Sequence, residues 1–230
     1  MARLDDALAA LHQHARPDQL PAMARFGMAG DNRLGVSVPE LRRLGRRFGP
    51  DHALAGALWD TGVPDAQILA SMVAEPARFA VRQMDAWART ARSWDVCDQA
   101  CNNAYRRSPL AWGRVDAWAD RRDEFVRRAA FALLACLAVH DKSTDDARFV
   151  AALALVEAAS DDGRNLVRKA VNWALRGIGK RNAALNAEAL AAAGRIAARG
   201  TPSARWIAAD ARRELLGGAV QVRLARPPQR

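Results

Sequence analysis

The stretch SWDVCDQAC, Ser93 to Cys101, holds an indole, two carboxylates and two thiols in nine residues. On a helix Trp94 and Asp98 stand four apart, as do Cys97 and Cys101, so each pair shares a face. A zinc site wants four close ligands, and His12, His14, His52 and His140 are scattered with no CxxC pair to join them. A nucleophilic thiol wants a partner base, and no histidine lies in this region of sequence. Two readings remain. In one, Ser93 caps the helix, Asp95 serves its dipole, Trp94 is core and Asp98 is a surface acid. In the other, Trp94 and Asp98 form an aromatic wall with an acid beside it, which suits a reaction that develops positive charge.

A second constellation lies downstream. Lys169, Trp173, Arg176 and Lys180 fall at i, i+4, i+7 and i+11, one stripe down a helix. Such a stripe is poor core material and suits a polyanion that carries rings or sugars. The bland alternative is a solvated face with one covered tryptophan. Arg127 and Arg128 sit at the corresponding place in an earlier helix, and packing of Phe125, Ala129 and Phe131 lets only one of the two face a ligand. Phosphate is its natural partner, because a guanidinium matches phosphate geometry bidentately.

The totals agree with such a partner. The chain of 230 residues carries a formal net charge of +10. Arginine supplies 32 of the 35 basic residues, a bias that genome composition alone can produce, but composition does not dictate an excess of basic over acidic groups. No apolar run approaches the roughly 20 residues of a membrane helix. The acidic start MARLDDALAA is unlike a signal peptide. Three cysteines without close pairing suit a reducing compartment, so the expected location is the cytoplasm, in association with the nucleoid.

The elements that must position these residues read as helices throughout. SVPE at Ser37 has the form of a capping box with a proline in the first turn, and Pro50, Pro64, Pro76 and Pro109 separate apolar-periodic segments. No alternating strand pattern appears, so the fold expected is all-α. FAVRQMDAW from Phe79, FVRRAAFAL from Phe125 and LVRKAVNWAL from Leu166 share a pattern at offsets of about 46 and 41 residues, the period of stacked helix-pair repeats. Repeats of this kind build a solenoid whose second helices line a concave, here basic, face. Residues 1–216 are expected to form one domain, and 217–230, with two glycines, two prolines and no helical face, a disordered tail.

With PAMARFGM, LGVSVPELRR, SWDVCD, VRRAAF and RKAVNWALR in this order, the chain resembles the AlkD-like DNA alkylation-repair glycosylases, a family of HEAT-like solenoids, along Pro21 to Leu216. The resemblance implies lesion-site roles for Trp94, Asp98 and Trp173, with Arg128 at the site and Arg176 on the DNA backbone. Lys169, Lys180 and Arg127 are further DNA-contact candidates from the stripe and repeat pattern. One departure is visible: where the family has a tyrosine that approaches DNA, this chain has Phe26, which keeps the ring and loses the hydroxyl. The implied activity is excision of cationic alkylpurines of the 3-methyladenine and 7-methylguanine type from double-stranded DNA. It implies a monomer that needs no metal, no organic cofactor and no membrane. Branches of the family without the acid imply the alternative, a solenoid that binds damaged or branched DNA without cutting; a protein-interaction solenoid is a third reading. Retention of Asp98 favours an enzyme.

Overall fold

The computed structural model describes residues 2–28 and 32–226, and among these every regular element is a helix. They form two compact units, Met1–Ala111 and Trp112–Arg230.

The first unit contains α1 (Ala2–Gln13), α2 (Leu20–Arg25), α3 (Val38–Phe48), α4 (His52–Asp60), α5 (Pro64–Val73), α6 (Val81–Thr90) and α7 (Trp94–Asn103). Local chemistry starts and stops them as the sequence suggests. Ser37 Oγ accepts from Glu40 N at the start of α3, Pro39 sits in its first turn, and Gly49 follows its end at φ +65°. Only half of the expected capping box forms, because the Glu40 carboxylate binds Arg43 instead of reaching back to Ser37. Asp51 caps α4 by accepting from Leu54 N at 2.9 Å.

α5 is the centre of this unit, buried at every position except Met72, and it packs between α3 and α7. Neighbouring helix pairs are tied at a regular step. His52 meets Gln83 and the Trp59 indole donates to Thr90, both 31 residues apart; Asn103 donates to Ser71, 32 apart. Trp59 and Trp87 stack at 4.1 Å with Phe79 edge-on to Trp87, closing the core between α4 and α6.

The second unit contains α8 (Ala111–Trp118), α9 (Glu124–His140), α10 (Asp146–Ala158), α11 (Asn165–Gly179), α12 (Ala183–Ala198), α13 (Pro202–Leu215) and α14 (Gly218–Leu224). α11 packs against both α9 and α13. Here the step is 38 residues: Arg195 pairs with Glu157, Arg199 with Asp161, Asn172 with Asp210 and Arg176 with Glu214. Helix pairs therefore repeat, with side-chain ties that span 31–32 residues in the first unit and 38 in the second, and α9 and α11 start 41 residues apart as the matched segments suggest.

The tail corrects the expectation of disorder. Gly218–Leu224 is helical because tertiary bonds hold it: Gln221 Nε2 donates to Leu215 O at 2.6 Å and to Asn186 Oδ1. Residues 227–230 of the expected tail lie outside the described residues.

Candidate functional site

α7 separates its residue types by face. Val96, Cys97, Ala100 and Cys101 are buried, whereas Trp94, Asp98, Gln99 and Asn102 are half-buried. The thiols, free and buried, are packing groups. Trp94 is thus not a core residue, and it shares its partly open face with Asp98 one turn later.

Two further elements fix the position of this face. The Trp94 indole Nε1 donates to the Phe26 carbonyl at 2.9 Å, beside Gly27 at φ +75°. The Phe26 ring itself is 73% exposed. The start of α7 is held by Arg33, whose Nη1 and Nη2 donate to the two carboxylate oxygens of Asp95 at 2.8 and 3.0 Å, with a further bond to Ser93 Oγ. Both side chains of this pair are nearly sealed from water, at 4% and 12% exposure.

Ser93 does occupy the N-cap position, but its side chain makes no cap bond and donates to Asp95 instead. Asp95 is therefore more than a dipole partner: it accepts a buried bidentate arginine. The strand of loop that carries Arg33 is fixed from its other side by Asp65, which accepts from Leu34 N and Val36 N at 2.7 Å. Gly35, at φ +80°, is required in this loop, because a Cβ there would stand 2.5 Å from the Arg16 carbonyl oxygen. Sequence reasoning missed Arg33 and Asp65; the glycine two residues after the arginine was the one local sign of a constrained loop.

In the second unit the stripe on α11 exists with an unforeseen partner. Lys169 is exposed and Trp173 half-buried, as a ligand-facing stripe requires. Arg176 and Lys180, however, both bind Glu214 of α13, Lys180 at 2.6 Å, and Arg176 also lies 3.5 Å from Asp210. Burial pushes the Glu214 carboxyl up, and the bond from Lys180 with the charge of Arg176 outweighs this, leaving its pKa below the ordinary value.

Arg127 and Arg128 also have partners inside the protein. Arg127 Nε donates to Ala119 O and its Nη1 to Asp162. Arg128 is 5% exposed, and its Nη1 donates to Leu166 O in the first turns of α11 at 2.6 Å. The side chain expected at the lesion is thus a buried tie between α9 and the helix that carries Trp173.

Residues 7–215 match the sequence model of the family described as DNA alkylation repair enzyme. The chain belongs to that family. A comparison with curated proteins returns no match. Among solved structures, one described as a new family of proteins related to the HEAT-like repeat DNA glycosylases with affinity for branched DNA structures superposes with a TM-score of 0.75. The two share 18% identity, and the match covers 84% of this chain and 82% of that one. At that identity the likeness establishes the fold, a HEAT-like helical repeat, which this DNA alkylation repair family member shares.

Proposed function

We propose that this member of the DNA alkylation repair enzyme family is a DNA glycosylase that removes cationic alkylated purines. The observation that carries this reading is the shared face of α7, where Asp98 stands one turn from Trp94 on the part-open side of the helix. An acid among DNA-facing groups repels phosphate, so it needs a chemical reason, and glycosidic cleavage supplies one.

Alkylation at N3 of adenine or N7 of guanine makes the base a cation and a good leaving group. The C1′–N bond breaks with its electron pair leaving on the base, and positive charge moves to the deoxyribose. The Asp98 carboxylate stabilises that charge and accepts a proton from the water that attacks C1′. The products are the free base and an abasic site. The Trp94 face adds attraction for a cation of about 0.5–2 kcal/mol. In the second unit we assign Trp173 and the exposed Lys169 to DNA contact, with Arg176 and Lys180 exchanging Glu214 for phosphate when DNA binds. Arg128 acts by holding α11, and through it Trp173. No step requires a metal or an organic cofactor.

Incubation with methylated double-stranded DNA tests the reading directly: free 7-methylguanine and abasic sites form with the wild-type chain. A second reading is favoured by the structural neighbour, described as having affinity for branched DNA. In that case the chain binds branched duplex in a salt-sensitive manner and leaves no abasic product.

A further inference from the structure

Four exposed arginines of the first unit are neutralised within the protein: Arg3 by Asp51, Arg16 by Asp18, Arg43 by Glu40 and Arg78 by Glu75. α3 gathers four arginines in the sequence RRLGRRFG, and of these Arg43 is the one with an acidic partner among the described residues. Arg42 and Arg46, one turn apart and both exposed, have no ion-pair partner among the described residues. With Gly45, Gly49, Pro50 and Met72 they line an open cleft of about 380 Å³ between α3 and α5.

The cleft is built by close helix packing. A Cβ on Gly45 would lie 3.1 Å from that of Met72, so glycine lets α3 approach α5 and brings the flanking arginines over the seam. Arg46 lies in the last turn of α3, where the helix dipole favours a cation; Arg42 is a turn earlier, where that benefit fades. Two uncompensated guanidinium groups on one face therefore point to an anionic ligand. The cleft is too open to enclose a small molecule, and successive guanidiniums a helical turn apart suit a run of phosphates. α5 packs against α3 on one side and α7 on the other, so the cleft belongs to the same layer as Trp94 and Asp98, two helix spacings away.

We propose that Arg42 and Arg46 form a damage-independent phosphate grip for the backbone of duplex DNA, separate from the excision site. The proposal rests on the DNA-binding part of the reading above and not on excision. It is tested with undamaged duplex, by fluorescence anisotropy across a range of salt. Arg42→Gln/Arg46→Gln should weaken binding on the order of tenfold or more. It should also lower the slope of log K against log salt by about 1.8, or about 0.9 per phosphate released. Arg82→Gln/Arg89→Gln on α6 removes the same charge from other exposed positions and should change the slope by less than half as much. Arg42→Lys/Arg46→Lys should keep most of the slope, which separates lost charge from lost fold.

If the Gln pair binds with the wild-type slope, or no differently from the α6 control, the grip is wrong while duplex binding stands. If the wild-type chain itself fails to bind duplex at low salt, both this proposal and the DNA reading fall.

Discussion

The indole N–H of Trp94 is spent on the main-chain carbonyl of Phe26, 2.9 Å away and 68 residues earlier in the chain. This bond fixes the ring plane of Trp94 without using its face. The family-like tyrosine position is thus joined to the α7 site through backbone, which does not need the missing hydroxyl. Trp94→Phe should remove the bond at a cost of about 1 kcal/mol in stability, and lower the single-turnover rate of base release more than it weakens DNA binding. Urea melts and quenched-flow assays on the same variant check both halves.

Phe26 is expected to act through its ring alone. Phe26→Tyr should leave release of 7-methylguanine within about threefold of wild type, whereas Phe26→Ala should weaken binding to lesion-containing duplex by up to about tenfold, as loss of one base–aromatic contact does. Equal behaviour of the two variants in a binding titration would exclude the ring.

Arg33 and Asp95 make the strongest buried tie at the site. Removal of one partner strands a buried charge, so Arg33→Met or Asp95→Leu should each cost about 3–5 kcal/mol. The double variant Arg33→Met/Asp95→Leu should recover much of that loss, since neither charge is left unpaired. Chemical denaturation of the three variants measures the coupling.

Glu214 gives the second unit a defined response to acid. Its folded pKa is depressed below the ordinary 4.5, so its contribution to stability is fully present above that value. That contribution is lost as the pH falls through the folded pKa. Glu214→Gln should therefore be less stable than wild type at pH 7, and the difference should shrink progressively below about pH 4.5. The same substitution releases Arg176 and Lys180, so at neutral pH it should tighten DNA binding. Thermal melts across pH and a binding titration at pH 7 test these two effects separately.

Helix content and the face of α7 were legible because both depend on spacing within one segment: four residues from Trp94 to Asp98, and prolines between periodic runs. Partners far along the chain were not. Asp95 reads locally as a first-turn acid, and only the fold brings Arg33, 62 residues earlier, onto its carboxylate. The α11 stripe was visible, but its neutralisation by Glu214 depends on a neighbouring helix 34–38 residues later. The partners of Arg127 and Arg128 were hidden for a similar reason, since Asp162 and the Leu166 carbonyl lie 35 and 38 residues further along the chain. Helix α14 escaped because its anchor, Gln221, bonds outside its own segment.

The central claim concerns Asp98, and the most direct test is Asp98→Asn in single-turnover release of 7-methylguanine from methylated duplex. The substitution keeps size and removes the charge. The account predicts a loss of about 10²–10⁴ in rate, the usual share of a positioned acid or base, with affinity for the same duplex unchanged or slightly tighter. An Asn variant that releases the base at the wild-type rate would contradict it.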